Sequence, residues 1–140
     1  AAQRTEALRR LGDLALETGD AERAEAPVPG AGAPETRVAI DIYTRLLADQ
    51  PDYPKADAVL YQLSRAYEAE GDLERALARL DELVARFPAS RYVPEAQFRR
   101  GEIHFSAQRW RAAEEAYTAV IRAGERSGFL EQALYKHGWA

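Results

Sequence analysis

The side chains able to do chemistry in this 140-residue chain are few and poorly matched to one another. There is no cysteine, which excludes thiolate nucleophiles, disulfide frameworks and cysteine-based zinc sites. Two histidines, His104 and His137, do not make a histidine-rich metal site. Glu102 and His104 are two apart, a spacing that does not place two side chains on one helix face. His104 is therefore expected to be half-buried and hydrogen-bonded rather than a base or ligand, and His137 likewise. No serine has a His/Asp partner pattern, and no Gly-rich loop follows a strand to cradle phosphate. Arg99, Arg100, Arg109 and Arg111 form a local basic cluster, but Glu95, Glu102, Glu114 and Glu115 offset it. With a net charge of −4, nucleic acid is not an expected partner. Glu114-Glu115 and the pair Glu68/Glu70 read as solvated helix faces. The expectation is a protein that is not an enzyme, with no metal or cofactor.

The elements that must position these residues are legible as a repeat. Ala39, Ala76 and Ala113 are 37 apart, and the same step links Tyr43, Leu80 and Tyr117. Leu46, Leu83 and Val120 follow it, as do Leu47, Val84 and Ile121. A second set is Tyr61, Phe98 and Tyr135, with Ser64, Gly101 and Gly138 beside them. Each unit reads as two helices. Over 55–70, apolar residues at Ala56, Val59, Leu60, Leu63 and Tyr67 share one face. Gly71-Asp72 then stops that helix and caps the next, which runs over 72–87 until Phe87-Pro88 ends it. The following pair is expected at 92–107 and 109–123, with Trp110 opening its second helix.

The first unit departs from this spacing. Thr5 to Asp20 reads as a helix and turn, and its partner helix is expected over 35–50. About 15 residues are inserted between them, with three prolines and two glycines over 25–34, read as a flexible loop. Chain units are therefore expected at 1–51, 57–90 and 94–124, with 127–140 the first helix of a fourth. With 46% hydrophobic and 30% charged residues the chain is too polar to span a membrane. It contains 28 alanines and 17 arginines but only two lysines, a usage that fits a GC-rich genome. It has no methionine, even at position 1, and looks like a segment of a longer array, so a leader or lipid anchor could lie outside it.

Leu60, Leu63, Ser64, Tyr67, Gly71, Ala76, Leu80, Leu83 and Pro88 resemble the signature of the tetratricopeptide repeat (TPR). Gly101, Trp110, Ala113, Tyr117 and Val120 match it in the next unit, which departs from it at His104 and Gln108, where tyrosine and glycine are usual. The resemblance implies an all-α, right-handed TPR superhelix, an α-solenoid of antiparallel helix pairs with about seven helices. It also implies a non-catalytic scaffold whose partner is a protein or peptide. By carry-over from the family's groove positions, the concave face comprises Arg9, Asp13, Tyr61, Arg65, Glu68, Glu95, Phe98, Glu102, Phe105, Gln132, Tyr135 and Trp139. Its centre would be an aromatic ladder, Tyr61–Phe98–Tyr135, suited to capturing a helix or extended peptide. Tyr43, Leu80 and Tyr117 are expected to fill the space between units. Phe87 to Glu102 and Leu134 to Trp139 look like segments of bacterial cell-envelope TPR proteins, those of BamD type and of YbgF/CpoB type. That implies a location in the periplasm or at the outer-membrane periphery. A purely structural array and an accessory domain of a larger enzyme or regulator are the competing readings. The apolar face at Leu130, Leu134 and Trp139 is expected to support self-association.

Overall fold

The computed structural model describes residues 2–25 and 34–123. They form six helices: α1 (Ala2–Glu25), α2 (Pro34–Asp49), α3 (Ala56–Ala69), α4 (Leu73–Arg86), α5 (Val93–Ser106) and α6 (Trp110–Arg122). Among the described residues there is no strand, so the fold is all-α. The expected seventh helix over 127–140 lies outside the described residues, as does most of the 25–34 insertion.

Helix ends follow local chemistry. Gly71, at φ +79°, turns the chain out of α3, and its N–H donates to Glu68 O (3.0 Å) while that of Asp72 donates to Tyr67 O (2.9 Å). Asp72 then caps α4 by accepting the Arg75 N–H at 3.1 Å. The α5–α6 turn repeats this geometry 37 residues on. Gln108 N–H donates to Phe105 O (3.0 Å) and Arg109 N–H to His104 O (2.8 Å), with Gln108 at φ +62°. Pro94 occupies the first turn of α5, where its missing N–H costs nothing. Pro34 opens α2 in the same way.

Two boundaries differ from the sequence reading. Gly19-Asp20 does not end the first helix, which continues to Glu25. Ala21-Glu22-Arg23-Ala24-Glu25 are strong helix formers, and one interior glycine costs only about 1 kcal/mol. At the other side Pro34 is already helical, so both ends of the expected loop belong to helices.

The chain divides into two compact units, 1–79 and 80–140. In the first, α1 packs on α2 and α2 on α3. Leu16, Ala39, Tyr43, Leu46, Val59, Leu63 and Ala66 form its core. In the second, α5 packs on α6 around Phe98, Ala113, Tyr117 and Val120. Small residues set the helix approach. A Cβ on Gly12 would lie 2.6 Å from Tyr43 Cε1, and one on Gly101 would lie 2.6 Å from Tyr117 Cδ1, too close for any side chain. The two tyrosines therefore fill the space inside their own helix pairs, against the first helix of each. Tyr43 also belongs to the core shared with α3, as expected of a residue between units.

Candidate functional site

In the first unit the chemistry gathers around α1. Arg9 donates to Glu6 Oε1 (2.6 Å) and to Asp13 Oδ2 (2.9 Å), one helical turn to each side. Asp13 also accepts a short hydrogen bond from the Tyr43 hydroxyl on α2. Glu6 accepts a similarly short one from Tyr53 and a charged one from Lys55 Nζ at 3.0 Å. One carboxylate thus ties α1 to the α2–α3 connection. The Arg9, Tyr53 and Lys55 hydrogen bonds hold the Glu6 carboxyl far below the usual carboxylate range. Burial, then the bond to Asp13, pushes the Tyr43 hydroxyl well above an ordinary phenol. Arg65 on α3 is near enough for its charge to act on the same hydroxyl, and its guanidinium donates to Gln62 Oε1 at 3.0 Å. The structure therefore brings Arg9, Asp13 and Arg65 together about Tyr43. Glu68 is half-buried on the same helix as Arg65.

The second unit repeats the tyrosine–acid bond. Tyr117 OH donates to Glu102 Oε2 at 2.6 Å, and burial followed by that carboxylate raises the hydroxyl's pKa far above its usual value. Glu95 pairs with Arg99 at 3.4 Å. Phe105 meets Trp110 edge-on with ring centroids 5.1 Å apart, and Trp110 is 47% exposed.

Two rings of the expected aromatic ladder are core side chains. Tyr61 and Phe98 are each only 6% exposed, and Phe98 packs 6.0 Å from the Tyr117 ring. Tyr135, Gln132 and Trp139 lie outside the described residues. So does the expected self-association face.

Other expectations divide. His104 is half-buried and its Nδ1 accepts from Arg109 Nε at 2.9 Å, the hydrogen-bonded role expected of it. Glu114 and Glu115 are exposed. Glu70 is not a solvated side chain: only 15% of it is exposed, 3.7 Å from Arg37, and its Oε1 is buried without a hydrogen bond. Arg100 pairs with Asp81 (2.6 Å), a partner the sequence pattern did not single out. Glu6 could have been found from its three- and four-residue spacing to Arg9 and Arg10, whereas Tyr53 and Lys55 reach it only through the fold. Among the described residues no group of acids and histidines is placed to hold a metal, and no helix is long and apolar enough to cross a membrane.

The doubled helix pair, its 37-residue step and the two turns of one geometry have a counterpart among known families. The tetratricopeptide repeat model matches residues 35–90 and again 61–127, about two-thirds of the chain. This chain belongs to the tetratricopeptide repeat family. Comparison with curated proteins gives no match. TPR repeats generally mediate protein–protein interaction.

Proposed function

We propose that this TPR chain is a non-catalytic scaffold that binds a partner peptide or helix on the first helices of its pairs. In the first unit the contact side chains are Arg9, Asp13, Arg65 and Glu68, with Tyr61 as floor. In the second they are Glu95, Glu102 and Phe105, with Phe98 beneath. The observation that carries this reading is the fixing of Arg9 and Asp13 by Glu6 and Tyr43. Half-buried charges already held in one arrangement lose little conformational freedom when a partner arrives, which is what preorganisation contributes to affinity. Alternating signs on one face favour a peptide whose own charges alternate, and set its register more than its strength of binding. The similarity of Phe87 to Glu102 to envelope TPR proteins supports placing this scaffold in a bacterial periplasmic or outer-membrane complex.

A photo-crosslinking residue placed at Arg65, Glu68 or Phe105 of the full-length protein tests both parts in the native host. Crosslinked partner bands are expected from these positions and not from Glu115. Protease digestion of spheroplasts is expected to degrade the protein while leaving cytosolic markers intact. Equal crosslinking at Glu115 overturns the binding face, and protection in spheroplasts overturns the location.

A further inference from the structure

Arg9 is tied at three of the five N–H groups of its guanidinium. Nε donates to Glu6 Oε2 at 3.3 Å, Nη2 to Glu6 Oε1 at 2.6 Å and Nη1 to Asp13 Oδ2 at 2.9 Å. Two N–H groups are left over, on a side chain 19% exposed. Glu6 is held in its turn. Besides the two bonds from Arg9 it accepts one from the Tyr53 hydroxyl and one from Lys55 Nζ at 3.0 Å. Those donors fill the roughly four acceptor positions of a carboxylate, so Glu6 itself has little left to offer a partner.

Tyr53 and Lys55 belong to neither α1 nor α3. They lie in the α2–α3 connection, whose own backbone is closed by hydrogen bonds. Tyr53 N–H donates to Gln50 O (3.1 Å), Ala56 N–H to Tyr53 O (3.0 Å) and Val59 N–H to Lys55 O (3.1 Å). A Glu–Arg pair three residues apart on one helix is weak by itself and leaves both side chains free to change rotamer. Two further donors from a second element remove that freedom from Glu6, and through it from Arg9.

The repeat folds without this clasp. Residues of α1 correspond to residues of α3 at a step of 52, the repeat of 37 plus the inserted 15. The match is fixed by Gly12 and Ser64, both buried, in the sequence phase that continues to Gly101. At the positions of Glu6 and Arg9, α3 has Ala58 and Tyr61, a side chain without an acceptor and a buried ring. What distinguishes α1 is the arginine that the clasp holds.

We propose that Tyr53 and Lys55, which stand outside the groove, are positioning residues for partner binding. Through Glu6 they hold the Arg9 guanidinium in one arrangement, so that its two remaining N–H groups meet a hydrogen-bond acceptor of the partner already oriented. The proposal rests on the binding face described above and adds to it the connection that controls one of its contacts.

Arginine side-chain NMR of the 15N-labelled 140-residue chain reads the positioning directly. The Arg9 Nη–H resonances, assigned by their loss in Arg9→Lys, should be resolved and not averaged by rotation. Tyr53→Phe with Lys55→Ala should collapse them to one averaged signal while leaving the Arg65 signals as they are. Lys55→Ala alone, at a side chain 54% exposed, should show a smaller change in the same direction, and Lys55→Arg should restore the wild-type spectrum. In the native host, the full-length protein with the photo-crosslinking residue at Arg65 should lose its partner bands at least fivefold in the double variant and keep them in Lys55→Arg. Arg9 signals that stay resolved in the double variant overturn the proposal, and so do Arg65 signals that collapse with them, since the variant has then loosened the whole unit. Partner bands of unchanged strength in the double variant overturn it too, whereas their absence from the wild type removes the binding face itself.

Discussion

The α1–α2 and α5–α6 pairs solve one packing problem with the same three residue types, and the repeat between them solves it differently. In the first pair Gly12 receives the Tyr43 ring and Asp13 accepts its hydroxyl. In the last, Gly101 receives Tyr117 and Glu102 accepts it. The equivalent positions of the middle repeat hold Ser64, Arg65 and Leu80. Where the large residue has no hydroxyl the acid is gone and the glycine has acquired a side chain. Ser64 turns its hydroxyl back to Tyr61 O at 2.6 Å. Glycine, acid and tyrosine therefore behave as one unit. A tyrosine ring that enters a helix–helix seam needs a missing Cβ at one end and an acceptor at the other, because a buried phenol hydroxyl left without a partner costs about 1–3 kcal/mol.

The largest effect is expected at the glycines. Gly→Ala inside a helix ordinarily stabilises by up to about 1 kcal/mol. Here the new methyl meets a buried ring, and overpacking costs of roughly 1–3 kcal/mol are usual. Gly12→Ala and Gly101→Ala should each lower stability by about 1–2 kcal/mol in urea unfolding. Pairing Gly101→Ala with Tyr117→Leu, the arrangement of the middle repeat, should recover part of that loss. Simple additivity of the two changes would refute the coupling.

A smaller effect is expected at the hydroxyls. Tyr43→Phe and Tyr117→Phe should each cost about 1 kcal/mol or somewhat more, as for a hydrogen bond to a charged group. The pH dependence gives a distinct signature. Both hydroxyls titrate above an ordinary phenol in the folded chain, so the folded state binds more protons than the unfolded state once the unfolded phenol begins to ionise. Their contribution is complete below about pH 10 and is lost as the pH rises beyond it. The double Phe variant should show a flatter loss of stability between about pH 10 and 11.5 than wild type. An unchanged slope would mean these hydroxyls are not protected in the fold.

The smallest effect distinguishes the two turns. Gly71 and Gln108 both have positive φ, but only glycine reaches that region at no steric cost. Gln108→Gly should raise the melting midpoint by the equivalent of about 0.5–1 kcal/mol, while Gly71→Gln should lower stability by a similar amount. A destabilising Gln108→Gly would indicate that the glutamine side chain holds the turn through contacts of its own.

Much of the fold could be read directly from the chain. Helices α3 to α6 lie within one or two residues of their expected spans, since glycine, proline and aspartate act locally on the backbone. The end of α1 could not be read so surely, because Gly19-Asp20 has the composition of a turn and only the helix formers after it decide otherwise. The candidate site was less legible. The repeat pattern marks Arg9, Asp13 and Arg65 as groove positions, but their convergence on the Tyr43 hydroxyl depends on the α1–α2 approach. Exposure was harder still: Tyr61 and Phe98 read as a ladder for a partner, yet both are buried, Phe98 against the Tyr117 ring of α6.

By itself the sequence determined what is periodic and local: the 37-residue step, the helices that make up each pair, their caps, and a side-chain inventory without thiol chemistry. Tertiary structure alone decided which apolar stripes found cover. Leu11 and Leu63 stand at equivalent positions with the same side chain, one 54% exposed and the other fully buried. Nothing local distinguishes them, because burial is a property of what packs alongside and not of the residue that is buried.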